Sequence, residues 1–261
     1  MKENSNLVQY ESAQRICTLT LNSNENRNAL SPVMIQSLKD ALTKAGNDDE
    51  VKVIVLRSSG SAFSAGADLA HLQQMQKNTF AENENDSTQL AQLFEQIYTH
   101  PKIIIAQVEG AAIAGGCGLA TVCDFTFATP DSKFGYTEVK IGFVPAIVMI
   151  FLLRKIGEAK AKELLLTGKL IDAPRAMEMG LVNSVFAKEE IGTKVSEFAT
   201  TLCKDASAQS LALTKKMIAQ VQELSFADAL KYAATMNAEA RATDDCKKGI
   251  AAFLSKENLE W

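Results

Sequence analysis

Histidine is almost absent from this chain: His71 and His100 are the only two in 261 residues. Neither has an accompanying serine elbow, which argues against hydrolysis by a serine–histidine pair oriented by an acid. Cysteine is sparse too. Five residues, an odd number without metal-ligand spacing, fit a reducing compartment better than a disulfide scaffold. Cys117 and Cys123 fall on one expected helix and read as small core residues. Basic charge is not in excess, since 27 Lys and Arg against 31 Asp and Glu leave a net −4. With no basic stripe, nucleic acid is not expected as the main partner. Long apolar runs are missing as well. The strongest, Phe143 to Leu153, is broken by Pro145 and far short of a bilayer span, so no membrane partner is expected. Met1 to Gln9 is polar and lacks the apolar region of a secretory signal. The expected location is cytoplasmic.

What is present is enough apolar residue, 47% of the chain, to bury a full core. No repeat or linker divides it. Val8 to Asn22 reads as two short strands about a polar turn, and Asn22 to Asn28 as a polar loop. Ser31 and Pro32 signal an N-cap and a first helical position. Met34, Ile35, Leu38, Ala41 and Leu42 then share one helix face. Val53–Leu56 and Ile103–Val108 read as buried strands. The segment from residue 73 to 87, rich in Asn, Glu and Gln, is expected to be mobile. Gly168 and Gly180 mark helix ends, and Asp172 a helix start. Beyond Glu189 the apolar spacing predicts three helices, the last from Phe226 to Phe253.

Two stretches carry the chemistry. Ile103–Val108 runs into Gly110, Ala111, Ala112, Ala114, Gly115 and Gly116, residues too small to keep a ligand from the backbone. A helix opening near Gly116 and Cys117 would add unpaired N–H groups and its positive dipole end. Such a place suits a developing negative charge. Ser61 to Leu69 repeats the arrangement after Val53–Leu56, and Glu138 follows on a third loop in an apolar neighbourhood. A single turn of this kind is equally compatible with close helix-on-strand packing.

Together these stretches resemble the crotonase superfamily, also called the enoyl-CoA hydratase/isomerase family. The similarity runs through Asn28-Ala29-Leu30, Phe63 to Leu69, Ala114 to Cys117 with Cys123-Asp124, and Phe134 to Gly142 with Pro145. It continues through Leu166-Thr167-Gly168, Ala173 to Val182 and Ala252-Phe253-Leu254. The ordered set is specific where its parts are not. The resemblance implies an α/β fold, a ββα spiral core over residues 1–190 and a C-terminal helical trimerisation region over 191–261. It implies a homotrimer or dimer of trimers, an acyl-CoA thioester as substrate, and no metal or cofactor beyond the coenzyme A of that substrate.

Residue roles follow from the same resemblance. The Ala67 and Gly115 amides would hold the thioester oxygen, each such donor supplying about 3–4 kcal/mol. Glu138 would be the acid/base, its pKa raised by apolar surroundings. Arg27, Ala29, Ala65, Asp68, Leu69, Gly116 and Gly118 would border the coenzyme A or acyl group, with Pro145, Met149 and Lys256. Bland alternatives stand beside several. Asp68 suits a helix cap, Arg27 and Lys256 solvated surface, Met149 and Phe151 a core-facing helix, His71 a surface helix and His100 a loop.

One departure is conspicuous. Standard hydratases of the family carry two glutamates; the second matches Glu138, but Gly118 stands at the first. Isomerases that shift a double bond from position 3 to 2 often use one carboxylate. Hydratases of branched acyl-CoAs, resembling methylglutaconyl-CoA hydratases, also show glycine there, and Thr137 to Ile147 is close to their wording. Space freed at Gly118 would admit a bulkier substrate or a substrate carboxylate. The leading reading is a hydratase of 2-enoyl-CoA, with a 3,2-enoyl-CoA isomerase as alternative and a non-catalytic CoA-ester-binding protein behind both.

Overall fold

The computed structural model describes residues 7–261, apart from the side chains of Leu69 and Ala70. The chain opens with an antiparallel hairpin, β1 (Val8–Ala13) and β2 (Ile16–Leu21), turned by Gln14 and Arg15 at positive φ. A 3-10 turn over Asn24–Asn26 leads to α1 (Pro32–Asn47), where the Ser31 hydroxyl accepts from the Met34 amide as expected. Next come β3 (Val53–Ser58), β4 (Ala62–Ser64), α2 (Leu69–Met75) and α3 (Phe80–Tyr98). A second such unit is β5 (Ile103–Val108), β6 (Ala111–Ile113) and α4 (Gly115–Val122). A third is β7 (Phe125–Ala128), β8 (Lys133–Gly135) and α5 (Ala146–Thr167), interrupted at Gly157. Short elements β9 (Ile171–Asp172), α6 (Ala173–Met179) and β10 (Ser184–Val185) follow. The chain finishes with α7 (Ile191–Asp205), α8 (Ala208–Val221), α9 (Phe226–Ala242) and α10 (Asp244–Ser255).

Each unit sends its first strand to one sheet and its second to another. The larger sheet runs β1-β2-β3-β5-β7-β10 and the smaller β4-β6-β8-β9. Parallel pairing links β2 to β3, β5, β7 and β10 in turn. This is the ββα spiral in an α/β fold.

The larger sheet is covered on both faces, which is why its strands are nearly all apolar. Leu19, Leu21, Ile54, Leu56, Ile104 and Ala106 point into the main core with the faces of α1, α3 and α4. Alternate residues Val53, Val55, Ile103, Ile105 and Phe127 meet Ile191, Val195, Ala199 and Cys203 of α7. Cys117 and Cys123 are buried free thiols. Asp124 receives the Ile104 amide at 2.7 Å and the Lys215 ammonium at 2.7 Å, tying α8 to the sheet.

Two expectations are corrected. Residues 73–87 are mostly helical: Thr79 and Glu82 form a capping box that starts α3. His71 on α2 pairs with Asp86 on α3 at 2.7 Å, so polarity there marks a solvated helix face. The last predicted helix is two, because the Thr243 hydroxyl accepts from the Cys246 amide and starts α10 with Asp244 and Asp245 in its first turn. The segment before Pro145 is a 3-10 turn over Glu138–Ile141, closed by Gly142 at φ 76°. Both glycine helix ends, Gly168 and Gly180, occur at positive φ, and Asp172 caps α6.

Candidate active site

β4 delivers the chain into Ala65-Gly66-Ala67, whose backbone bonds are accounted for one by one. The Ala65 amide donates to the Arg27 carbonyl at 3.0 Å and the Gly66 amide to Ser64 Oγ at 3.3 Å. The Gly66 carbonyl accepts from the Leu30 amide at 2.7 Å. The Ala67 amide has no acceptor among the described residues. Asp68 is the N-cap of α2, its carboxylate accepting from the His71 amide at 2.9 Å.

Facing this loop is the start of α4. Ala114 holds φ 51° and ψ −123°, a conformation that suits glycine, and offers no side-chain cap. Its amide donates to the Gly135 carbonyl at 2.8 Å, and its carbonyl accepts from the Gly118 amide at 3.0 Å. The Gly115 amide is left without an acceptor among the described residues, at the positive end of the helix. The two loops touch. A β-carbon on Gly66 would lie 3.2 Å from the Gly115 nitrogen and 2.6 Å from the Ile113 carbonyl oxygen. One on Gly116 would lie 2.3 Å from the Ser64 carbonyl oxygen, so only glycine lets α4 approach β4 this closely. Sequence placed the helix start one residue later than Gly115.

Glu138 leaves the same level of the smaller sheet. β6 and β8 pair Ile113 with Gly135, so Gly115 and Glu138 follow adjacent strand ends by two and three residues. The Glu138 side chain is buried, 8% exposed. Its Oε2 is sealed from solvent without a hydrogen-bond partner among the described residues. Burial raises its pKa, against the lowering effect of its own backbone amide. Its charge is felt by Cys117 and Tyr136, and Tyr136 Oη meets Thr121 Oγ1 at 2.7 Å. A buried carboxyl with a raised pKa is chemically suited to proton exchange, and backbone amides without acceptors are suited to an oxyanion.

Gly118 contradicts the expectation of free space. A β-carbon there would lie 2.3 Å from Val148 Cγ1 and 2.9 Å from Phe94 Cε2. Helix α5 packs directly against α4, and Val148 fills the room a side chain at 118 would need. Met149 is 38% exposed, on the solvent side of α5, whereas Phe151 stacks edge-on with Phe94 and Tyr98. Pro145 is buried at the N-cap of α5.

Arg27, at φ 50°, and Lys256, at φ 58° behind α10, both expose their side chains. Ala29 is buried beside the loop. The Leu69 side chain lies outside the described residues. His100 does sit in a connection but is buried between the Leu42 carbonyl and the Lys102 amide; desolvation pushes its pKa down to about 4, against the raising effect of the Leu42 carbonyl. Sequence reasoning missed Asn28 as a brace. At φ 53° it donates to the Ser59 and Ala62 carbonyls at 3.1 and 3.0 Å, holding its own loop to β4. Among the described residues no three His, Cys, Asp or Glu side chains form a metal-binding group. Among the described residues no helix is long and apolar enough to cross a membrane.

The chain is similar to known proteins over nearly its whole length. Residues 11–261 match the pattern of the enoyl-CoA hydratase/isomerase family. A Thermus thermophilus protein described as an enoyl-CoA hydratase is 42% identical over 250 residues, covering 96% of this chain and 98% of that one. The crotonyl-CoA hydratase of Syntrophomonas wolfei is 33% identical over 254 residues and covers 96% of each. The crystal structure of an enoyl-CoA hydratase from Mycobacterium smegmatis has a TM-score of 0.92 at 29% identity, over 98% of this chain and 99% of that one. This chain belongs to the enoyl-CoA hydratase/isomerase family.

Proposed function

We propose that the protein is an enoyl-CoA hydratase adding water across the double bond of a 2-enoyl-CoA. The observation that supports this reading is the buried Glu138 carboxyl, whose Oε2 has no partner among the described residues, three residues past the strand end that pairs with the one leading to Gly115, together with the Ala67 and Gly115 amides that have no acceptor of their own among the described residues. The amides receive the thioester oxygen, which gathers negative charge as the water oxygen bonds to C3. Glu138 accepts a proton from that water and returns one to C2, so a single carboxyl serves both ends of the addition. The hydratase names of the relatives support the same choice.

Isomerisation of a 3-enoyl-CoA is the second reading. It is favoured by the packing at Gly118, where Val148 and Phe94 leave no room for a second, water-orienting acid. The branched, methylglutaconyl-like substrate rests on the glycine at 118 and the wording of Thr137 to Ile147. Assembly as a trimer or dimer of trimers is supported by exposed Phe226, Leu230, Phe253 and Leu254 on α9 and α10. No metal or cofactor beyond the substrate's own coenzyme A takes part in this reading.

Incubation with a 2-enoyl-CoA and, separately, a 3-enoyl-CoA in water labelled with heavy oxygen tests it. Label in the product hydroxyl from the 2-enoyl ester establishes hydration. Bond migration from the 3-enoyl ester without label replaces it with isomerisation, and binding without turnover of either leaves only a CoA-ester-binding role.

A further inference from the structure

Away from the Glu138 site, α3, α4, α5 and α8 enclose a cavity of about 380 Å³. That volume lies within the range of small-ligand sites. Val122, Phe125, Phe151, Leu202 and Leu211 supply much of its lining, with Tyr98, Arg154 and the exposed Ile218 and Gln222. Other charged groups in the wall are already used by the fold. Lys155 donates to the Thr121 and Cys123 carbonyls at the end of α4, at 3.0 and 2.9 Å. Lys215 holds Asp124 at 2.7 Å and the Ile97 and Lys102 carbonyls at 3.1 and 3.2 Å. The Gln222 amide donates to Tyr98 Oη at 3.4 Å and to the Ile218 carbonyl at 3.2 Å.

Arg154 is the exception. Its Nη1 is buried and has no acceptor among the described residues. Its Nη2 reaches Glu223 at 3.5 Å, and the guanidinium lies 5.7 Å from the centre of the Tyr98 ring. A buried guanidinium donor without an acceptor is unfavourable, and a planar carboxylate is the acceptor its fork fits best. The apolar part of the lining fits an alkyl chain, and the other charged groups of the wall are already paired, so no second polar end is required.

We propose that this cavity is a second binding site, separate from the Glu138 site, for an aliphatic carboxylate whose head pairs with Arg154 and whose chain lies against Phe151 and Leu211. Phe151 also packs on Phe94, which stands against Gly118, so the two sites share a wall. The proposal does not depend on which reaction the Glu138 site performs.

Calorimetry on the full chain tests it, with decanoate as ligand and decan-1-ol as the uncharged match. The unmodified protein is expected to bind decanoate at least about tenfold tighter than the alcohol, the worth of one charge-assisted hydrogen bond. Arg154→Gln brings decanoate down to the affinity of the alcohol. Ile218→Trp, at the exposed rim, weakens both ligands without touching the core; circular dichroism confirms that each variant is folded. Butyryl-CoA, a saturated thioester, leaves decanoate affinity unchanged when added to saturation. Equal decanoate affinity in the protein and its Arg154→Gln variant, displacement by butyryl-CoA, or no binding of decanoate overturns the second site. Failure of butyryl-CoA to bind would instead count against the CoA-ester reading and leave this one standing.

Discussion

Gly118 and Val148 occupy one space: a β-carbon on the glycine would come within 2.3 Å of the valine Cγ1. The contact joins α4, whose start carries the free Gly115 amide, to α5, which begins just after the Glu138 turn. A side chain at 118 therefore has to displace α5 or force Val148 and Phe94 from their rotamers.

Gly118→Ala is expected to destabilise the protein by about 1–3 kcal/mol, the usual penalty of overpacking. Gly118→Glu should be worse, since it also buries a carboxylate without a partner. Combining Gly118→Ala with Val148→Ala restores much of the loss. Thermal unfolding midpoints of the three variants check this, and an unshifted midpoint for Gly118→Ala would show that α5 yields freely.

Glu138→Gln keeps the shape of the side chain and removes its proton exchange. Turnover is expected to fall about a hundredfold or more, the range of a lost general acid/base, while affinity for butyryl-CoA changes little. Steady-state kinetics and calorimetry separate the two quantities. Near-normal turnover would take Glu138 out of the mechanism.

The raised pKa of Glu138 has a definite sign in stability. A group whose folded pKa lies above its unfolded value stabilises fully below the unfolded pKa and loses that contribution as pH rises through the folded one. Ionised Glu138 thus opposes folding at neutral pH. Glu138→Gln should unfold at a higher temperature than the parent near neutrality, with the gap closing in acid. The parent's kcat/KM should fall on the acid side at a pH above the ordinary carboxylate range, because hydration begins from the ionised form. Unfolding scans and a pH–rate profile test both statements.

Ala114 sits at φ 51° and ψ −123° directly before the Gly115 amide. Relief of that backbone strain, about 1–3 kcal/mol, exceeds the roughly 0.5–1 kcal/mol entropic penalty of glycine. Ala114→Gly should therefore raise the unfolding midpoint, while Ala114→Val, β-branched at the same φ, should lower it. A lower midpoint for the glycine variant would mean the backbone there is not strained.

Local signals were legible wherever one residue type settles the outcome. Ser31 before Pro32, Asp172 before Pro174 and the glycines at 168 and 180 mark helix ends through bonds and φ values that few residues supply. The strands of the larger sheet were legible because burial on both faces demands unbroken apolar residues. Residues 73–87 were misread because a helix stabilised by its cap and by one ion pair carries little apolar periodicity. The break at Thr243 was hidden for a related reason: apolar spacing continues across it, and only the hydroxyl cap divides α9 from α10.

By itself the amino-acid order determined which short loops are glycine- and alanine-rich, which carboxylate follows them and where the main strands run, since these depend on neighbours along the chain. Tertiary structure alone decided that the Gly66 and Gly115 backbones meet, that Val148 and Phe94 close the space at Gly118, and that Arg154 faces a cavity without an acceptor. Each of those joins residues tens of positions apart. Steric contact and desolvation belong to the packed molecule, and no pattern within a single segment encodes them.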